Sequence, residues 1–437
     1  MVSSHTLRWW WKRLADVCQR WRQIIFASPH GLDLRLVCTH RTPTRTSLDD
    51  IWPPFPIAIF CYSPLLGDEV DEFQDNIIAA LEHNDRIIQI DILYQNRSVF
   101  EKFSAVTQKP FPVLTHLRLL SIDETVLHEE FLGGSAPCLQ SFSLSEIAFP
   151  AFPKLALSAT HLSTLFLLAI PVTGYISPEA MATCLAALPC LEYLHIEFKS
   201  PQSRPDRIGL SPPMCAVLPA LIQFVYKGVS EYLEDLVARI STPKLNLLII
   251  RLFMDLMFNI PQLHRFIACT ERIRLPHLAK ITFSSSHINI RLKPLTGVVA
   301  LLIMCGELGQ QASSMAQVCS QLTPLLSHVE QLDINCEGML VARRATDIDP
   351  TQWFELFHPF PAVQHLYIYG ELGPLLARVL KELPGERATQ VLPTLRSLFF
   401  EGSSSSNSIQ EDIQTFIVAR QDSDYPINIH WGVTGYH

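Results

Sequence analysis

The sequence predicts an α/β solenoid: a curved parallel sheet with helices on its convex side, preceded by a small N-terminal helical segment. Three observations predict it. A proline followed by apolar residues two, five and seven positions later recurs eight times. Helical periodicity almost always falls immediately before such a segment. The copies, with weaker ones between them, follow one another at about 20 to 33 residues, the period of a repeat array. One unit cannot bury its apolar face alone, so the units stack into one elongated body.

The unit is clearest in Leu188-Pro189-Cys190-Leu191-Glu192-Tyr193-Leu194-His195-Ile196. It reads as a turn entering a short strand, with Leu194 and Ile196 on one face and Tyr193 and His195 on the other. The same spacing begins at Pro112, Pro137, Pro219, Pro243, Pro276, Pro361 and Pro393. Copies without the proline centre on Ile90, Leu165, Leu301 and Leu332, giving roughly twelve strands. Pro56 to Phe60 reads as a further strand at the start of the array.

Helices are expected at 71–84, 177–188, 230–241, 260–273, 313–327, 350–358, 373–383 and 408–421. Ser177-Pro178 and Asp349-Pro350 each put a capping side chain before a proline at the first helical position, and Ser408 with Glu411 forms a capping box. Strands sharing one direction and joined through helices form a parallel sheet with right-handed crossovers. Helix, turn, strand, repeated, is a leucine-rich-repeat-like architecture. It is irregular: Ile122, Ile147 and Ile170 replace the Asn or Cys usual after the strand, and 200–213 and Ser403 to Ser406 read as loops.

Residues 1–40 differ from the rest. Leu14, Val17, Cys18, Trp21, Ile24 and Ile25 share one face of a helix that Ser28-Pro29-His30-Gly31 would end, and Trp21 is its expected anchor. Residues 41–70, rich in Thr, Pro and Asp, read as a connector, and 71–437 as the repeat array.

The run Leu14-Ala-Asp-Val17-Cys18-Gln-Arg20-Trp21-Arg22-Gln-Ile24-Ile25 resembles the second half of the F-box of fungal proteins that carry leucine-rich repeats. Leu32 to Thr39 and Leu48 to Pro54 are similar to the linker of the mushroom-type members. The resemblance implies that Leu14, Val17, Cys18, Trp21, Ile24 and Ile25 contact the F-box-binding adaptor of a cullin-type ubiquitin ligase. An F-box usually opens with Leu-Pro-x-Glu and a first helix, and nothing before Leu14 matches them. Either the chain begins late or adaptor binding has been lost; the alternatives are a substrate-recognition subunit and a stand-alone repeat scaffold with a degenerate F-box. A plainer reading makes the segment a cap for the terminal repeat.

Composition narrows the function. Of 437 residues, 48% are hydrophobic and 17% charged, enough apolar material for a continuous core. A formal charge of -8 and one short basic run, Arg8 to Arg22, exclude a general nucleic-acid binder. No apolar run suits a signal peptide or a membrane span. The eleven cysteines lack Cys-x-x-Cys or zinc spacing and read as reduced core residues, which places the chain in cytosol or nucleus. Phosphate-loop, dinucleotide, metalloprotease and serine-hydrolase motifs are missing, so neither catalysis nor a cofactor is expected.

What remains is the ribbon between the apolar anchors on the concave face. His116, Arg118, Tyr193, His195, Lys280, Asp333, His365, Tyr367 and Phe399 are the expected contacts for an unknown protein target. Tyr, His and Phe recur there, and aromatic side chains supply large buried area at low entropy cost.

Overall fold

The alternation that follows each proline becomes a strand with one sealed face and one open face. A computed structural model of the protein describes residues 17–27, 35–39, 55–62, 76–95, 97–201, 215–254, 258–338, 348–370, 372–382, 390–401, 407–423 and 425–432. The chain divides into two compact units, Met1–Ser200 with Ala216–Ala220, and Pro201–Cys215 with Leu221–His437.

The first unit contains β1 (Leu36–Cys38), β2 (Ile57–Cys61), β3 (Ile87–Gln95), β4 (His116–Val126), β5 (Ser141–Ala148), β6 (Thr164–Ile170), β7 (Tyr193–Phe198) and the short β8 (Ala216–Val217). Strands β1 to β7 lie side by side in sequence order, each parallel to the next. Leu117, Leu119, Phe142, Leu144, Leu165, Leu194 and Ile196 are at most 1% exposed, while their alternating neighbours, apart from the buried Ser143, are half-buried or open. Helices therefore cover one face of the sheet, each sealed apolar side chain contributing about 1.5–3 kcal/mol.

Beneath that sealed face runs a phenylalanine chain. Phe100, Phe103, Phe131, Phe149, Phe142 and Phe152 follow one another with ring centroids 5.6–6.3 Å apart. It links Arg97–Val106 and Phe152–Ala156, two helices that the repeat spacing did not indicate, to the strands. Ser177 accepts the Ala180 amide at 3.2 Å and so caps Pro178–Ala186 as expected. At the irregular positions, left-handed Glu146 (φ 60°) and Ala169 (φ 47°) turn the chain and let Ile147 and Ile170 re-enter the core. No Asn or Cys is needed to make those two bends.

The second unit contains β9 (Gln223–Gly228), the short β10 (Ile240–Ser241), β11 (Leu247–Phe253), β12 (Pro276–Phe283), β13 (His287–Pro294), β14 (Val298–Met304), β15 (Gln331–Cys336), β16 (His365–Tyr369), β17 (Ser397–Glu401) and β18 (Asn428–Gly432). Its sheet order is β9-β11-β14-β13-β12-β15-β16-β17-β18. Here a uniformly parallel sheet is the wrong expectation, because β13 is antiparallel to both β12 and β14. Residues 284–286 and 295–297 are too few to carry a crossover helix, so the chain can only reverse. Gly297 makes the second reversal fit: a Cβ there would lie 2.7 Å from the Asn246 carbonyl oxygen. The remaining pairings are parallel.

The helices expected in this unit are Ser230–Val237, Pro261–Cys269, Leu308–Gln321 with Thr323–Leu326, Pro350–Phe357, Leu372–Lys381 and Asn407–Gln421. Asp349 and Gln352 form a full capping box at Pro350–Phe357. Inside that helix Trp353 is fully buried against Phe283 and Phe357. Each unit thus shows the predicted α/β, leucine-rich-repeat-like solenoid class, with one antiparallel insertion in the second.

Of the N-terminal segment, Gln19–Ala27 is helical, and the Cys18 thiol accepts the Trp21 amide at 3.5 Å. Trp21 is 48% exposed, so it is not a buried anchor within this chain. Leu14, most of the connector, the loop at 202–214 and Ser403–Ser406 lie outside the described residues, as do the side chains of Ile25 and Ser408; Ser408 falls inside Asn407–Gln421, not before it where a cap would stand.

Candidate functional site

Strand register decides which open-face side chains meet. In the first unit His116 and Tyr193 share one cross-strand row, Gln89–His116–Ser141–Thr164–Tyr193. Arg118 and His195 share the next, Asp91–Arg118–Ser143–Phe166–His195. Each pair is three strand intervals apart, about 14 Å, so the four predicted residues form two separate clusters.

The first cluster is a polar network. The Tyr62 hydroxyl donates to Asp91 at 3.1 Å, and the Arg35 guanidinium donates to Gln89 at 3.2 Å. Burial raises the Asp91 pKa, opposed by the Tyr62 hydrogen bond and the Arg118 charge. Burial and the Asp91 carboxylate push Tyr62 to about 12. Burial, and then Arg35, lowers the His116 pKa. In the second cluster His195 packs edge-on against Phe166 at 5.9 Å and lies 3.5 Å from Glu197. Asp91, Gln89 and Tyr62 are absent from the predicted set, although β3 carries a copy of the apolar spacing without the proline.

The second unit brings its predicted residues together. Lys280, Asp333, Tyr367 and Phe399 occupy consecutive positions of a single row across β12, β15, β16 and β17. His365 stands two residues earlier on β16, its ring 6.3 Å from Phe399. The row continues to His430 on β18. Tyr367 and Phe399 stack at 4.2 Å and 3°, and Phe399 and His430 at 4.5 Å and 14°. Parallel strands place equivalent side chains about 4.8 Å apart, close to the separation of stacked rings.

Asp333 departs from its predicted role. It is 7% exposed, hydrogen-bonded by the Gln331 amide at 2.9 Å and by the Tyr369 hydroxyl, and therefore offers little carboxylate to a partner. Burial raises its pKa, with Gln331, Lys280, Lys293 and Tyr369 opposing. Burial and Asp333 push Tyr369 to about 12. The Lys280 ammonium lies 5.6 Å from the centre of the Tyr369 ring. On β13, Arg291 stands directly opposite Lys280, and Lys293 follows two residues on. Sequence reading missed Arg291 and His430: β13 and β18 carry no copy of the repeat spacing, although His287, Asn289, Arg291 and Lys293 alternate with Ile288, Ile290 and Leu292 as in any half-buried strand.

On the N-terminal helix, Trp21 and Ile24 are 48% and 55% exposed, and just before it Val17 is 62% exposed and Cys18 is exposed as well. Trp21 and Ile24, three residues apart, share one side of Gln19–Ala27, and Val17 and Cys18 lie just before its first turn, so exposed apolar side chains gather at this end of the segment. Among the described residues, no three His, Cys, Asp or Glu are grouped to hold a metal ion, and no helix is long and apolar enough to cross a membrane. All eleven cysteines are free thiols, but Cys18, Cys138, Cys190, Cys215 and Cys269 are exposed, so the expected core placement fails for those five.

No family model matches the chain, and no curated protein matches it. Among solved structures it is similar to the leucine-rich repeat-containing protein LegL7 from Legionella pneumophila, at 12% identity and a TM-score of 0.29, over 82% of this chain and 97% of that one. That likeness is too loose to add to what the strand registers show of the fold.

Proposed function

We propose that this chain is a non-catalytic substrate-recognition subunit of a cullin-type ubiquitin ligase, acting in the cytosol or nucleus. Its open sheet faces hold a protein target, and the helix Gln19–Ala27 docks on the F-box-binding adaptor. Ubiquitin transfer then comes from partner enzymes brought close to the target. The observation that carries this reading is the exposure of Trp21 and Ile24 on one side of that helix, with Val17 exposed just before it. These residues belong to the F-box-like run, and exposed contiguous apolar side chains are a common mark of an interaction surface. The ring row Tyr367–Phe399–His430 supports the target-binding half, since flat aromatic surface is typical of binding hot spots.

Size-exclusion chromatography of the purified chain with the purified adaptor tests the assignment. Co-elution of a complex that Trp21→Ala abolishes supports ligase recruitment. Separate elution leaves a stand-alone protein-binding scaffold and removes the ligase.

A further inference from the structure

We infer that the open face of the second unit takes an extended acidic segment of a partner protein that carries an aromatic residue about six positions from its carboxylates. This rests on the reading that the open faces are protein-contact surfaces, and it names the chemistry of the contact.

Charge comes first. Lys280 and Arg291 are direct cross-strand neighbours, an arrangement that like charges destabilise unless an anion lies between them. Lys293 adds a third cation on the same strand face as Arg291. Arg291 and Lys293 are exposed, and no ion pair holds either among the described residues. The carboxylate in their row, Asp333, is buried and already bonded to Gln331 and Tyr369, and although Lys280 and Lys293 both act on it, one carboxylate leaves the three cations in excess. A chain of formal charge -8 thus concentrates positive charge at one place on this face.

The same row then changes character. Past Asp333 come Tyr367, Phe399 and His430, stacked face to face, so Tyr367 and Phe399 present mainly their ring edges. Edges of stacked rings are electropositive and favour the face of an incoming aromatic ring in a T-shaped contact. From Arg291 on β13 to Phe399 on β17 is four strand intervals. That is roughly 19 Å, or about six residues of extended peptide at 3.3 Å each. A peptide running across the strands therefore meets cations first and rings second. Nucleic acid fits less well: three cations flanked by Asp333 and Glu401 cannot follow a phosphate backbone.

Selection of a random-peptide display library on the full chain tests this, followed by fluorescence anisotropy of the enriched peptides. The expected peptides carry Glu or Asp about six residues from Trp, Tyr or Phe. They bind about tenfold more weakly to Lys280→Glu/Arg291→Glu and to Phe399→Ala, and more weakly as salt rises. Unchanged thermal unfolding of these variants separates lost contact from lost fold. Enriched peptides that ignore these substitutions but lose binding to Tyr193→Ala overturn the inference and leave the open-face reading standing. Failure to enrich any peptide sensitive to either set removes both. Tighter binding of single-stranded oligouridylate than of the acidic peptides overturns the inference in favour of nucleic acid.

Discussion

Tyr367 and Phe399 lie face to face on adjacent parallel strands, ring centroids 4.2 Å apart and planes within 3°. Register, not local sequence, creates the pair, because Tyr367 of β16 is the direct partner of Phe399 of β17. A double-mutant cycle with Tyr367→Ala and Phe399→Ala in urea unfolding should give a coupling of about 0.5–1.5 kcal/mol. Additive losses would show that the rings merely lie near each other.

Arg420 is fully buried near the end of the last long helix. Its guanidinium donates to the carbonyl oxygens of Leu392, Leu395 and Tyr425 at 3.3 Å and of Pro393 at 3.4 Å. The side chain therefore ties that helix to the turn that enters β17. Arg420→Ala should lower the unfolding free energy by at least about 3 kcal/mol, since several buried carbonyls lose their donor. Arg420→Lys should recover little, because an ammonium cannot spread its donors as a planar fork does. Denaturant titration of the three proteins decides it; a Lys variant as stable as the wild type would contradict the clamp.

Asp333 predicts a pH dependence. Burial raises its folded pKa above the unfolded value of about 3.9, so the unfolded chain releases this proton more readily. Its favourable contribution is full below about pH 3.9 and is lost as pH rises through the folded pKa. Asp333→Asn lacks this titration. The stability of the variant relative to wild type should therefore increase from pH 3.5 to pH 7, by the linkage relation for one proton. A constant difference across that range, measured by urea unfolding, would mean that Asp333 keeps an ordinary pKa.

Much of the fold was legible, and the reasons are specific. Pro189 and its equivalents mark where a helix must have ended, and the period-two pattern after each one requires a strand. All twelve segments read this way are strands, and Ser177 and Asp349 cap the helices they were expected to cap. Order was not legible. Leu278-Ala-Lys-Ile and Val298-Val-Ala-Leu look like successive repeats, yet β13 lies between them and reverses the sequence of positions. Pairing of distant strands depends on loop length and sheet position, which a single repeat does not encode. The ring row was half visible, since Tyr367 and Phe399 carry the repeat spacing and His430 does not. The burial of Asp333 comes from Tyr369, Gln331 and Lys280 closing around it, a property of the assembled face.

The central claim is that the exposed apolar side of Gln19–Ala27 recruits a ligase adaptor, and titration calorimetry of adaptor into wild type and Trp21→Ala tests it most directly. At 48% exposure, Trp21 should cost under about 1 kcal/mol of stability when truncated, so the variant stays folded. The account predicts measurable heat for wild type and a dissociation constant weakened about thirtyfold or more for the variant, as for an interface hot spot. Equal affinity for the two folded proteins, or no binding by wild type, would contradict it.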